Sequence, residues 1–100
     1  MRVLFVAPCE RPVLRDILPN DEAIKKAIGD GCKKLNRHHP PGLTSTVAII
    51  EDAEGTKKLL PPNRKPVGVP HTIVGNFVVA ATGYKDLDEK QIEFYKRLLT

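Results

Sequence analysis

The chain has 100 residues, of which 41% are hydrophobic and 28% charged, and a net charge of +4 at pH 7. These figures exclude a disordered or fibrous polymer, and a chain of this length can bury roughly 60 to 70% of its unfolded surface, so one domain over residues 1–100 is expected. No run approaches the ~20 apolar residues of a membrane span, and the opening segment is too promptly charged for a signal peptide, which makes a cytoplasmic location the expectation.

Val3 to Ala7 form a continuous apolar run, the pattern of a strand buried on both faces, and Pro8 ends it. Cys9 to Pro12 read as a turn. Cys9 and Cys32 show no C-x-x-C spacing and no export signal, so both are expected to be reduced, buried thiols. Val13, Leu14 and Ile17 suit a short returning strand that Pro12 confines to an edge, completing a β-hairpin over residues 2 to 18. Asn20 or Asp21 caps a short helix with Ile24, Ala27 and Ile28 on one face, and Gly29 and Gly31 end it.

Cys32 to Arg37 fit either one more helical turn or a strand, with the strand favoured. Residues 45 to 50 are rich in β-branched types and predict another strand. Glu51 to Gly55 then form a turn with Gly55 at positive φ, bringing Thr56 to Leu60 back as a hairpin partner. Pro61, Pro62, Pro66, Gly68 and Pro70 preclude a regular ladder and make residues 61 to 71 a stiff loop. Thr72 to Ala81 is the longest apolar candidate and should be central in the sheet, with Gly75 marking a bulge or a close approach.

The last helix carries the clearest boundary signals: Asp86 or Asp88 at its start, Glu89 in its first turn and Lys96-Arg97 near its end. Ile92, Tyr95 and Leu99 share a face that Leu98 widens toward the sheet. The predicted order is β-β-α-β-β-β-β-α. It describes an α+β fold with a mainly antiparallel sheet and two helices on one face.

Several segments together resemble a known family. They are the opening Met1 to Pro8, the helix end Ile28-Gly29-Asp30-Gly31, the stretch Lys58-Leu59-Leu60-Pro61-Pro62-Asn63-Arg64, the run Thr72 to Val79 and the closing Leu87 to Ile92. The pattern L-P-x-N-R followed by I-V-G-x-F is its most specific part. The chain resembles a small domain-of-unknown-function family found in bacteriophages and bacterial mobile elements. Residues 36 to 46 are longer and more basic than that pattern. The resemblance implies a phage-like origin and a sheet-plus-helix fold.

Charge is uneven along the chain. Residues 32 to 72 hold Lys33, Lys34, Arg37, Lys57, Lys58, Arg64 and Lys65 against Glu51, Asp52 and Glu54, which accounts for the whole net charge and points to an anionic partner. Asn63, Arg64 and Lys65 sit in the proline-stiffened loop, where a guanidinium fork and an amide are held ready for a phosphate. Lys57 and His71 complete the expected ligand-binding set. No nucleophile elbow, thiol-protease context or phosphate loop is present, so no catalytic residue and no cofactor are expected. His38 and His39 point to opposite faces if they lie on a strand, and neither has an i, i+4 partner, so no metal site is expected either.

The basic loop and the resemblance together imply a non-catalytic binder, acting as a homo-oligomer, that sequesters a nucleotide-type signal of host immunity in a basic pocket. The alternative is an inhibitor or accessory factor that docks an acidic host protein. Nucleic-acid binding ranks third, because the net charge is modest and Phe5, Phe77 and Tyr95 read as core rather than as a stacking platform.

Overall fold

The computed structural model describes residues 1–40 and 46–100, so the Ser45 start expected for the fourth strand lies outside the described residues. Its regular elements are β1 (Arg2–Val6), β2 (Val13–Asp16), α1 (Asp21–Ile28), β3 (Leu35–His38), β4 (Val47–Asp52), β5 (Phe77–Ala81) and α2 (Glu89–Leu98). The strands form one sheet in the order β2-β1-β5-β4-β3, with every neighbour antiparallel. The α+β class, the hairpin, the edge position of β2 and the central position of β5 are as the sequence predicts.

The helices, however, pack on opposite faces of the sheet rather than on one. In β1, β4 and β5 the residues Leu4, Val6, Val47, Ile49, Phe77 and Val79 point one way. Val3, Phe5, Ala48, Ile50, Val78 and Ala80 point the other. Strands that are apolar on both sides need two covers. Ile92 and Tyr95 of α2 and Leu99 just after it, with Val69, Ile73 and Leu87, cover the first face. Ile24 and Ile28 of α1 cover the second. The Leu98 side chain does not join this packing and stands 44% exposed.

Both helices begin on side-chain caps. Asn20 Oδ1 accepts from Ala23 N at 2.8 Å. Asp88 and Gln91 form a reciprocal capping box, each side chain bonding the other's backbone N–H at 2.8 and 2.9 Å.

The expected hairpin partner at 56–60 is instead a 3-10 turn at Gly55–Lys58. The reason is topological: β3 and β5 occupy both edges of β4, so the chain leaving it has no free edge to pair with. The remaining extended pairing of the β-β-α-β-β-β-β-α order falls a few residues later, at an isolated antiparallel bridge between Pro62 and Val74. Gly75 N–H donates to Pro61 O, Asn63 N–H to Ile73 O and Ile73 N–H to Arg64 O around it.

Gly55 does not take positive φ; Leu59, at φ 54°, does. Gly55 instead packs closely on the loop, where a Cβ would stand 3.0 Å from Val74 Cγ2 and 3.4 Å from Val74 O. Gly75 is a close approach as expected, with φ 74° and a Cβ position 2.7 Å from Leu60 Cδ1. That left-handed residue also keeps β5 from extending back to Thr72. Among the described residues no helix is long and apolar enough to cross a membrane.

Candidate functional site

The register gathers the basic connections at one end of the sheet. Val6 of β1 and Glu51 of β4 both pair with Phe77, the first residue of β5. Asp52 pairs with Leu35, the first residue of β3. Lys33 and Lys34 precede β3, Lys57 and Lys58 follow β4, and Arg64 and Lys65 precede β5, so all six emerge at this end.

Asn63 acts as a clamp there. Its Nδ2 donates to the Val6 carbonyl at 3.1 Å and the Gly75 carbonyl at 2.7 Å, tying the proline loop to the ends of β1 and β5. Arg64 Nη1 donates to Asn63 Oδ1 at 2.8 Å, and Nη2 donates to Glu10 O at 2.7 Å. Asn63 and Arg64 are thus brought together and anchor the loop. Lys57 and Lys65 are exposed. His71 is drawn elsewhere, onto Glu51.

Beside the clamp lies a cleft of about 320 Å³ lined by Ile28, Gly29, Asp52, Lys58, Pro61 and Asn76 among others. Asp52 is buried, and its Oδ2 is 2.5 Å from Lys58 Nζ, which also donates to Gly31 O at 2.8 Å. The hydrogen bond to Asp52 holds the Lys58 ammonium above the usual lysine range. Burial, and then the nearby Asp52 charge, push the Cys32 thiol up. Both cysteines are free, as expected, but Cys9 is exposed rather than buried because it occupies a turn at φ 62°. Lys58, Asp52 and Asn76 were not expected as cleft residues; only the basic composition of the region hinted at Lys58.

On the opposite face of β4, Glu51 is buried between two imidazoles. His38 Nε2 lies 2.5 Å from Glu51 Oε2, and His71 Nε2 lies 2.7 Å from the same oxygen. Alternation along β4 places Glu51 on the Val47 and Ile49 side. His38 pairs with Ile49 and so stands diagonal to Glu51 on that side, while His39 is exposed. The loop brings in His71 because Gly68, at φ 92°, lets it press on Pro40; a Cβ would meet Pro40 Cα at 2.9 Å. The two rings meet edge to face at 5.5 Å. Among the described residues these three are the group of histidine and acidic side chains placed to hold a metal ion.

A family model described as Domain of unknown function (DUF3846) matches residues 1–100. The chain belongs to that family. No curated protein and no solved structure matches it.

Proposed function

We propose that the chain is a non-catalytic binding protein that takes an anionic, nucleotide-type ligand at the basic end of its sheet. One observation carries this reading: Lys33, Lys34, Lys57, Lys58 and Lys65 lie on connections at the same end as the cleft, and the Asn63 and Arg64 bonds hold in place the loop that carries Lys65. At about 320 Å³ the cleft is at the small end of ligand pockets, which run roughly 300 to 1,000 Å³. It suits a base or a ribose, with phosphates reaching the surrounding lysines. Lys58 already neutralises Asp52, so the exposed Lys57 and Lys65 supply the attraction, and Arg64 orders the loop that carries Lys65. A larger cyclic dinucleotide overfills one cleft and calls for two copies with apposed ends. On this reading the protein is of phage type, works in the cytoplasm of a host bacterium and withdraws an immune signal without chemistry.

Calorimetry against cyclic dinucleotides, cyclic trinucleotides and adenine-dinucleotide derivatives tests it. One member should bind, with affinity that falls as salt rises and is weakened in the Lys57→Ala/Lys65→Ala double variant. Failure of every member to bind removes the reading. The exposed, cationic character of the same end also supports docking to an acidic host protein, and a pull-down from host lysate that is lost in the double variant would favour that second reading.

A further inference from the structure

We infer that His38, Glu51 and His71 form a binding site for one divalent transition-metal ion of the zinc class. This site is independent of the basic end's cleft, since Glu51 and Asp52 face opposite sides of the sheet.

The two consecutive carboxylates of β4 pose the same electrostatic problem. Each is buried, with 6% of the Glu51 side chain and 3% of the Asp52 side chain exposed. A buried carboxylate must be paired or coordinated. Asp52 has Lys58. Glu51 forms no ion pair with lysine or arginine among the described residues; its only charged or chargeable partners are the two histidines. With both imidazoles neutral, one negative charge is left in the protein, and a cation held by all three groups compensates it.

The geometry favours a metal ion as that cation. Both histidines aim the same atom, Nε2, at one carboxylate oxygen, and the three ligand atoms lie within 4.8 Å of one another. Bonds of about 2.0 to 2.2 Å at tetrahedral angles would set ligand atoms about 3.3 Å apart. The present contacts of 2.5 and 2.7 Å therefore open by about 0.6 to 0.8 Å to admit the ion. His71 can supply the opening on its own side, because its side chain is 43% exposed and it lies on a loop outside the ladder, while the His38–Glu51 contact opens by rotation of those two side chains about their strands. The same exposure leaves a water-accessible position for a fourth ligand. Two imidazole nitrogens and one carboxylate oxygen suit zinc and its neighbours in the first transition row, not calcium or magnesium, which take oxygen ligands.

Proton accounting follows from the hydrogen bonds. An ionised Glu51 only accepts, so each Nε2 carries a hydrogen while it bonds to Oε2. Ligation needs the Nε2 lone pair. Each of those protons moves to Nδ1 of its ring, or leaves for solvent if the ring was an imidazolium.

The test uses the full chain, stripped with chelator and titrated with zinc chloride by calorimetry in two buffers of different ionisation enthalpy. We expect one zinc per chain and a higher melting temperature with zinc. His71→Ala and Glu51→Gln should each weaken binding by more than about 100-fold, since losing even an outer-shell partner of a metal site costs 10- to 100-fold. His71→Ala is the decisive variant because its half-exposed side chain can be removed without emptying the core, and far-UV circular dichroism verifies its fold. His39→Ala, which removes the exposed neighbouring histidine, should bind zinc like the wild type. Absence of saturable one-to-one binding, wild-type affinity in His71→Ala, or an equal loss in His39→Ala overturns the inference. A site neutralised by a proton alone would give the first of these results.

Discussion

Replacing Asn63 by alanine tests whether the proline loop is clamped in the way the structure indicates. The substitution removes two hydrogen bonds that Asn63 donates, at 3.1 Å to Val6 O and 2.7 Å to Gly75 O, both carbonyls of buried residues. Each bond contributes about 0.5 to 1.5 kcal/mol, and a buried carbonyl left without a partner costs about 1 to 3 kcal/mol unless water reaches it. Allowing for overlap between those effects, the loss should be about 2 to 4 kcal/mol. In a chain of 100 residues that is a fall in Tm of roughly 8 to 30 °C, at about 4 to 8 °C per kcal/mol. The chain has no tryptophan, so urea unfolding is best followed by far-UV circular dichroism. Asn63→Asp should be worse than Asn63→Ala, because it keeps the shape but turns two donors into acceptors facing carbonyls. Arg64→Ala removes bonds at a more exposed position and should cost only about 1 kcal/mol. A loss under about 1 kcal/mol for Asn63→Ala, or a larger loss for Arg64→Ala, would refute the reasoning.

Three further outcomes are expected. Gly68→Ala puts a methyl 2.9 Å from Pro40 Cα at φ 92°, so it should cost about 2 kcal/mol in urea unfolding and weaken zinc binding by displacing the His71 loop, with no ligand altered. Lys58 has its folded pKa raised above 10.5, so the stability it contributes is fully present below that pH and is lost as pH rises through the folded value. The melting temperature of the wild type should therefore fall more steeply than that of Lys58→Met above about pH 10.5, and parallel curves would count against the Asp52 pairing. Iodoacetamide near neutral pH, followed by peptide mapping, should label the exposed Cys9 well before Cys32, whose thiol is raised by burial and by Asp52; equal rates would contradict that environment.

Those parts of the fold that rest on short-range signals were legible in the sequence. The β1–β2 hairpin, the Asn20 and Asp88 caps and the central strand each follow from residues a few positions apart. The side on which each helix packs depends on how many faces of the sheet are apolar. The Val3 to Ala7 run points to two covered faces, whereas element order alone does not say which face each helix covers. The missing strand at 56–60 has a similar origin. Its residues suit a hairpin, but β4 already has β3 and β5 on its edges, and that is fixed only once β5, which starts 25 positions after β4 ends, returns to pair with it.

The candidate site was hidden for a related reason. Glu51 and Asp52 read as turn residues because two acids follow a β-branched run, whereas β4 continues through both, in register with Leu35 and Asn36. Once they belong to a strand, alternation sends their side chains to opposite faces, and each must find a partner there. Asp52 finds Lys58 six positions on, within reach of a local reading. Glu51 finds its partners 13 and 20 positions away, on an edge strand and on a loop seated by Gly68 against Pro40, so no spacing rule would group the three. The strand's continuation is thus what converts an apparent turn into two buried charges. The difference between their partners, a lysine for one and two imidazoles for the other, makes one an internal ion pair and gives the other the donor set of a metal site.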